Sequence, residues 1–125
     1  ANNYEQFSCD PFLMTNSEEC IKVMQATSDN VQLLVDVAHL KVSSNSLGFD
    51  PIQFLKDCDK WIKAYHLSDN DGTRDSNEPI SDSSWFWPFI KKDLDYYSLE
   101  IYGISNPETL EQYQIAESNL KNYKI

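Results

Sequence analysis

The sequence has few glycines and few basic residues. Three glycines among 125 residues leave no glycine-rich loop of the kind that cradles phosphates. Ten lysines and arginines stand against twenty acidic residues, which gives a net charge of −10. This charge argues against a nucleic-acid binder, because phosphate contacts need basic side chains, and it disfavours an anionic membrane surface for the same reason. Small polar substrates and metal cations remain compatible with the composition.

Cysteines and long apolar runs are also scarce. Cys9, Cys20 and Cys58 are odd in number and lack C-x-x-C spacing, so neither a disulfide scaffold nor a zinc finger is expected. Reduced thiols of this kind suit a cytoplasmic protein. There is no apolar run of about eighteen residues and no signal-peptide pattern. We therefore expect a cytoplasmic protein without a membrane span.

The patterns that are present favour one folded α/β domain. The hydrophobic content of 41% and the aromatic content of 13% are typical of a globular chain, and 125 residues fit one domain. Predicted helices and strands alternate along the chain, which indicates parallel pairing of the strands. The predicted helices cover residues 16–27, 50–61, 82–93 and 106–123, and the predicted strands cover residues 31–40, 61–68 and 96–103.

Each predicted strand carries one ionisable residue toward its carboxyl end: Asp36, His66 and Glu100. The carboxyl ends of parallel strands meet at one edge of a sheet or barrel, where such folds place their sites. Two carboxylates and an imidazole in a partly buried pocket are most simply accommodated by a divalent cation. This ligand set fits Mn²⁺, Mg²⁺, Co²⁺, Zn²⁺ or Fe²⁺ and does not select among them.

Each of these residues also has a structural interpretation. An isolated aspartate such as Asp36 is often a hydrogen-bonded structural acid or a helix cap, and a lone histidine at a strand end is often a structural residue. Glu100 needs a partner in either case, because apolar residues flank it. His39 follows Asp36 by three positions and is a further ligand, a substrate donor or a simple loop histidine. The joint pattern of one ionisable residue per strand favours the metal site.

Three segments resemble one known group of enzymes. "LLVDVAHLKVS", "YHLSDNDGTRDSN" and "YYSLEIYG", in this order, resemble the C-terminal part of the xylose-isomerase-like TIM-barrel superfamily. That group contains sugar and sugar-phosphate isomerases and epimerases, together with the abasic-site endonucleases. The resemblance runs through nearly the whole chain, and "HLSDNDG" with the following aspartate is its most specific motif. It implies an incomplete barrel, because about eight strands close such a barrel and only three are predicted.

In the isomerases and epimerases of this group, four residues from successive strands (Glu, Asp, His and Glu) hold a divalent metal. The last three match Asp36, His66 and Glu100. By this resemblance Glu100 is both a metal ligand and one of two acid/base groups that move a proton between neighbouring sugar carbons. His39 matches a histidine that contacts the substrate in the epimerases. The resemblance thus implies a metal-dependent sugar or sugar-phosphate isomerase or epimerase.

The loop after the second strand supplies the remaining substrate-binding candidates, Arg74, Asp75 and Asn77. Arg74 is placed to meet a sugar hydroxyl or phosphate. In the abasic-site endonucleases the same loop carries Asp-x-His, whose two residues bind additional zinc, whereas this chain has Asn77 at the second position and Asn is not a usual zinc ligand. A sugar-directed enzyme is therefore favoured, with an endonuclease-like phosphodiesterase or a non-catalytic metal- or carbohydrate-binding barrel as alternatives.

The resemblance begins partway through the family's barrel. The family's first metal glutamate would lie just upstream of Ala1, so we expect this chain to be a C-terminal piece of a longer enzyme and to be catalytically incompetent alone. Three parallel strands with open edges would also expose apolar surface. Related barrels often pair, which leaves a homo-oligomer open.

Overall fold

The computed structural model describes residues 14–121, which fold around a three-stranded parallel sheet. The strands are β1 (Leu33–Asp36), β2 (Ile62–Leu67) and β3 (Tyr96–Leu99), in the order β1-β2-β3. The helices are α1 (Ser17–Ala26), α2 (Val37–Leu47), α3 (Pro51–Cys58) and α4 (Asn106–Lys121). This confirms the predicted α/β class, with parallel βα units in an open sheet as expected of an incomplete barrel. No helix within the described range has the length and apolar character needed to cross a membrane.

Helices α1 and α3 begin where the sequence places a capping side chain. The Asn16 side chain accepts a hydrogen bond of 2.9 Å from the Glu19 amide at the start of α1. The Asp50 carboxylate accepts one of 2.9 Å from the Ile52 amide at the start of α3, and Pro51 occupies the first helical position. Each cap satisfies an amide that the helix itself leaves without a partner. Both predicted helices are therefore confirmed, with small shifts of their ends.

Two buried thiols lie where α1 packs against α3. Cys20 is 3% exposed and Cys58 is 0% exposed, and both are free cysteines. The hydrogen bond to Cys20, together with burial, raises the pKa of the Cys58 thiol. The prediction of reduced thiols agrees with the structure at these two positions, while Cys9 lies outside the described residues.

The predicted strand 31–40 is wrong in its second half, because β1 ends at Asp36 and α2 follows at once. The Asp36 carboxylate accepts hydrogen bonds of 3.0 Å from the backbone amides of Ala38 and His39, and so caps α2. An aspartate in this position stabilises a helix start more than it stabilises a continuing strand.

Two features of the sequence explain why α2 is not predicted as a helix. Val37 and Val42 are β-branched and favour strands over helices, yet both are buried on the inner side of α2. The polar run Ser43–Ser46 resembles a loop, because serine and asparagine compete with helical backbone hydrogen bonds. The helix ends at Gly48, which adopts a left-handed conformation with a φ of 74°. Its backbone amide donates a hydrogen bond to the Ser44 carbonyl and so caps the helix.

The helix predicted over residues 82–93 is wrong, because this segment forms a series of turns. Pro88 provides the physical reason: it lacks an amide hydrogen, and its ring would clash with the carbonyl four residues earlier in a continuous helix. Phe86 and Trp87 are nevertheless buried, at 0% and 4% exposure, whereas Phe89 is 41% exposed. The long connection from β2 to β3 is thus held by aromatic packing in place of a helix.

The register of the sheet determines which side chains share a face. Asp36 of β1 lies opposite His66 of β2, and His66 lies opposite Ser98 of β3. Glu100 follows Ser98 by two positions and therefore lies on the same face, because side chains alternate along a strand. Tyr65, next to His66, lies on the opposite face and is 1% exposed. One face of the sheet thus packs in the core, and the other carries the ionisable residues.

Burial of Tyr65 gives the core a titratable group. Its ring stacks on Tyr97 with the centroids 6.0 Å apart, and its hydroxyl accepts a hydrogen bond of 3.2 Å from the Lys91 amide. Burial raises the pKa of Tyr65 from 10.0 to about 12, since the phenolate loses its hydration. The folded chain therefore keeps the Tyr65 proton at a pH where the unfolded chain releases it.

We expect the Tyr65 contribution to stability to be complete below pH 10.0 and to be lost as the pH rises toward 12. In this interval the unfolded state binds fewer protons than the folded state, so the free energy of unfolding falls with pH, by on the order of 2 kcal/mol for this group. Tyr65→Phe should show a flatter decline in urea titrations from pH 9 to 12, with Tyr113→Phe, at a 64% exposed site, as the control. An equal decline in both variants would contradict this assignment.

Candidate metal centre

Asp36, His66 and Glu100 form a cluster at the carboxyl ends of the three strands. One potential ligand atom from each residue lies within 4.8 Å of the others. His66 Nδ1 is 3.1 Å from Glu100 Oε1 and 3.9 Å from Asp36 Oδ2. The structure therefore brings together the three residues that the strand pattern predicts to meet.

The two carboxylate oxygens of Asp36 make different contacts. Oδ1 accepts the two capping hydrogen bonds of α2, and Oδ2 faces the rings of His66 and His39 at 3.9 and 3.8 Å. The side chain is 11% exposed. The capping bonds fix the orientation of the carboxylate, so Oδ2 is held toward the cluster. The structural and functional interpretations of Asp36 are thus compatible.

Asp36→Ala should lower the free energy of unfolding by about 1 kcal/mol, because α2 loses its cap. Asp36→Asn should change it much less, since asparagine caps helices about as well as aspartate. Urea denaturation of the metal-free chain measures both. Equal destabilisation by the two substitutions would show that the charge of Asp36, and not its hydrogen-bonding geometry, stabilises α2.

Glu100 lies one residue beyond β3. Its amide continues the parallel ladder by donating a hydrogen bond of 3.0 Å to the Leu67 carbonyl, and its own carbonyl accepts one of 2.9 Å from Asn77 Nδ2. The side chain is 34% exposed, and its ion-pair partner in the described part of the chain is His66. The partner that the sequence requires for this acid is therefore the imidazole of His66.

His39 and Asp75 form a second polar pair beside the cluster. His39 Nε2 is 2.5 Å from Asp75 Oδ2, and the histidine side chain is 48% exposed. Asp75 Oδ1 is buried and has no hydrogen-bond partner among residues 14–121. Two substrate-binding candidates are therefore in direct contact, and Asp75 fixes the orientation of the His39 ring.

The other two loop candidates differ in their surroundings. Arg74 is exposed. Its guanidinium helps to hold the pKa of Asp71 below its ordinary value, together with the larger effect of hydrogen bonds from Thr73. Asn77 is 6% exposed, and its side-chain amide contacts the Glu100 backbone. Arg74 is thus available to solvent, whereas the Asn77 amide is already engaged within the protein.

The loop is tied to α2 by contacts that the sequence does not reveal. Lys41 Nζ donates a hydrogen bond of 3.1 Å to Asp69 Oδ1. Asn70 Nδ2 donates a hydrogen bond of 3.0 Å to the Ala38 carbonyl. Asn45 Nδ2 donates one of 2.8 Å to the Gly72 carbonyl. The only signal available in the sequence is the Asp-Asn-Asp-Gly run, which is typical of a turn. Its anchoring to a helix does not follow from the sequence, because the predicted strand 31–40 covers the first turn of α2 and no helix is predicted over the rest of it.

The donor set and its spacing fit a divalent cation. Ligands about 2.0–2.2 Å from one metal ion lie roughly 3 Å from each other, close to the 3.1 Å between His66 Nδ1 and Glu100 Oε1. Asp36 Oδ2 is 3.9 Å from the same nitrogen, and the three ligand atoms lie within 4.8 Å of one another, so the cluster would contract around a bound ion. Two carboxylates and one imidazole would balance the charge of such an ion. The three residues therefore fit the group that the sequence predicts.

A groove of about 350 Å³ opens beside Asp36 and His39. Its other walls include Leu34 of β1 and Leu40 of α2. This volume lies within the range of pockets that bind small molecules. A ligand in the groove would contact Asp36 of the cluster and His39 of the pair.

Comparisons with known proteins return no matching family model, no matching curated protein and no matching solved structure. The resemblance to the isomerase-like barrels therefore rests on the quoted motifs alone.

Proposed function

We propose that this chain supplies three metal ligands, Asp36, His66 and Glu100, to a divalent-metal-dependent sugar or sugar-phosphate isomerase or epimerase. The observation that supports the proposal is the convergence of their ligand atoms within 4.8 Å at the carboxyl ends of three parallel strands. Sites of parallel α/β folds lie at this edge. A purely structural role for each residue, such as a helix cap or a structural histidine, would not require the three to meet.

Glu100 is the acid/base residue in this proposal. A bound divalent metal would polarise the carbonyl and hydroxyl oxygens of the sugar and so make the neighbouring C–H more acidic. The Glu100 carboxylate would hold the proton that leaves one carbon and return it to the next. Its partial exposure, 34%, leaves it accessible to a ligand on the open face of the sheet.

His39 and Asp75 act on the substrate in the same proposal. Asp75 fixes the His39 ring through the 2.5 Å contact, and the ring lies against the groove beside the cluster. When Nε2 donates to Asp75, the Nδ1 of the neutral imidazole can accept a hydrogen bond from a sugar hydroxyl, and a fixed ring loses little conformational freedom on binding. Arg74 remains the candidate for a phosphate group at the exposed rim of the loop.

The endonuclease-like alternative receives less support from the contacts of Asn77. A multi-zinc site of that type would need a ligand where this chain has Asn77, and the amide of Asn77 is used by the Glu100 carbonyl. The net charge of −10 also opposes the approach of a nucleic acid. A sugar-directed site is therefore the better proposal.

Calorimetric titration with Mn²⁺, followed by a panel of ketoses and aldoses, tests this function. We expect one Mn²⁺ per chain, loss of binding in His66→Gln, and a change in the Mn²⁺ electron paramagnetic resonance spectrum when a bound sugar displaces water. His39→Gln should weaken the sugar effect and leave Mn²⁺ binding largely intact. Metal binding without any response to sugars would favour a metal-binding barrel, and cleavage of a duplex with an abasic site would favour the endonuclease alternative.

A further inference from the structure

We propose that Asn77 is a positioning residue for Glu100: its side-chain amide holds the backbone at the end of β3, so that the Glu100 carboxylate faces His66. The inference rests on the proposed metal site for its functional meaning. It gives Asn77 a different role from the substrate contact that the sequence predicts.

Asn77 bonds to the chain at two points directly after the Glu100 side chain. Its Nδ2 donates a hydrogen bond of 2.9 Å to the Glu100 carbonyl, and its own carbonyl accepts one of 3.2 Å from the Tyr102 amide. Asn77 is 6% exposed, so water does not compete strongly for these groups. Together the two bonds join the loop to the segment that follows β3.

The backbone of Asn77 is suited to this contact. Its φ of 48° lies in the left-handed region, which asparagine adopts more readily than most residues. The neighbouring Glu78 exchanges two backbone hydrogen bonds with Asp69, of 2.9 and 2.8 Å. Because Asp69 is itself bonded to Lys41 of α2, Asn77 is attached to a supported part of the loop.

Glu100 needs such support because regular pairing stops next to it. Strand β3 ends at Leu99, and the Glu100 amide makes the last bond to β2, at the Leu67 carbonyl. A shift of the chain by one residue relative to β2 would place the Glu100 carboxylate on the other face of the sheet. The hydrogen bond from Asn77 to the Glu100 carbonyl opposes this shift and keeps Glu100 Oε1 at 3.1 Å from His66 Nδ1.

Residues that orient metal ligands commonly change metal affinity by about 10–100-fold when they are replaced. We therefore expect Asn77→Gly to weaken Mn²⁺ binding about tenfold or more, since glycine keeps the positive φ and removes the amide donor. Ser76→Gly is the matched control, because it loosens the same loop but removes only a hydroxyl that contacts Glu78. Mn²⁺ affinity is measured by calorimetry, and folding by urea titration.

A double-mutant comparison separates positioning from general loosening. In a Glu100→Ala background, Asn77→Gly should cause no further loss of Mn²⁺ affinity, because the ligand that it positions is gone. Should Asn77→Gly not fold, Asn77→Asp removes the donor within a similar shape. Its added negative charge would by itself favour Mn²⁺, so weaker binding by this variant would reflect lost positioning.

The crystal structure of metal-free Asn77→Gly tests the inference independently of the proposed function. We expect the 3.1 Å contact between Glu100 and His66 to be lost in this variant and kept in Ser76→Gly. A retained contact, or unchanged Mn²⁺ affinity in Asn77→Gly, would overturn the positioning role. An unsubstituted chain that binds no Mn²⁺ would overturn the proposed function instead, while the metal-free structures would still decide the role of Asn77.

Discussion

Glu100→Gln is expected to bind Mn²⁺ at least about 100-fold more weakly than the unsubstituted chain, with little change in folding stability. The substitution removes one of the two negative charges that face the ion and leaves an amide, which is a poorer ligand than a carboxylate. Replacing residues that merely orient ligands already costs about 10–100-fold. Because the side chain is 34% exposed and contacts the His66 ring in the described part of the chain, the free energy of unfolding should change by less than about 1 kcal/mol.

Glu111→Gln is the matched control for this variant. Glu111 is an exposed residue of α4, so the substitution removes the same charge outside the three-residue cluster. Its Mn²⁺ affinity should equal that of the unsubstituted chain. If Glu100→Gln and Glu111→Gln bound Mn²⁺ equally well, Glu100 would be neither a ligand nor an acid/base residue acting on a metal-bound sugar.

The largest effect on stability is expected from Phe86→Ala, which should lower the free energy of unfolding by about 3–5 kcal/mol. Phe86 is 0% exposed, and its ring lies 4.7 Å from that of Trp87 in an edge-to-face contact. Phe86 belongs to the connection between β2 and β3, and its side chain packs in the core. Around Phe86 this connection forms turns and not a helix. Removal of the ring would leave a cavity and release the connection between β2 and β3.

Phe89→Ala tests whether this effect depends on burial. Phe89 belongs to the same segment but is 41% exposed, so its loss should cost less than about 1 kcal/mol. Thermal and urea unfolding of the two variants provide the comparison. Similar losses at both positions would mean that the segment is stabilised by its turns and not by the burial of Phe86.

The convergence of the three ligand residues could be predicted because it depends only on the order of strands and helices. Parallel strands bring their carboxyl ends to one edge, also where the connection has no helix, as between β2 and β3. Asp36, His66 and Glu100 each follow a recognisable apolar run. Errors of several residues in the strand ends did not matter, since the register pairs Asp36 with His66 and brings Glu100 next to His66.

The errors arose where one side chain decides between two local structures. Asp36 ends a strand and starts α2 through two hydrogen bonds to amides that lie beyond it, and no periodic pattern encodes such a cap within an apolar run. Pro88 interrupts an aromatic segment that otherwise has helical spacing. The role of Asn77 depends on contact with Glu100, twenty-three positions away, and sequence patterns do not specify contacts of that range.

Anomalous diffraction from crystals of the chain soaked in Mn²⁺ tests the central claim most directly. We expect one anomalous peak within about 2.0–2.3 Å of Asp36 Oδ2, His66 Nδ1 and Glu100 Oε1, and no peak there in crystals of Glu100→Gln soaked in the same way. A peak elsewhere on the acidic surface, or no peak at these three atoms in the unsubstituted chain, would contradict the metal site and the isomerase proposal that depends on it.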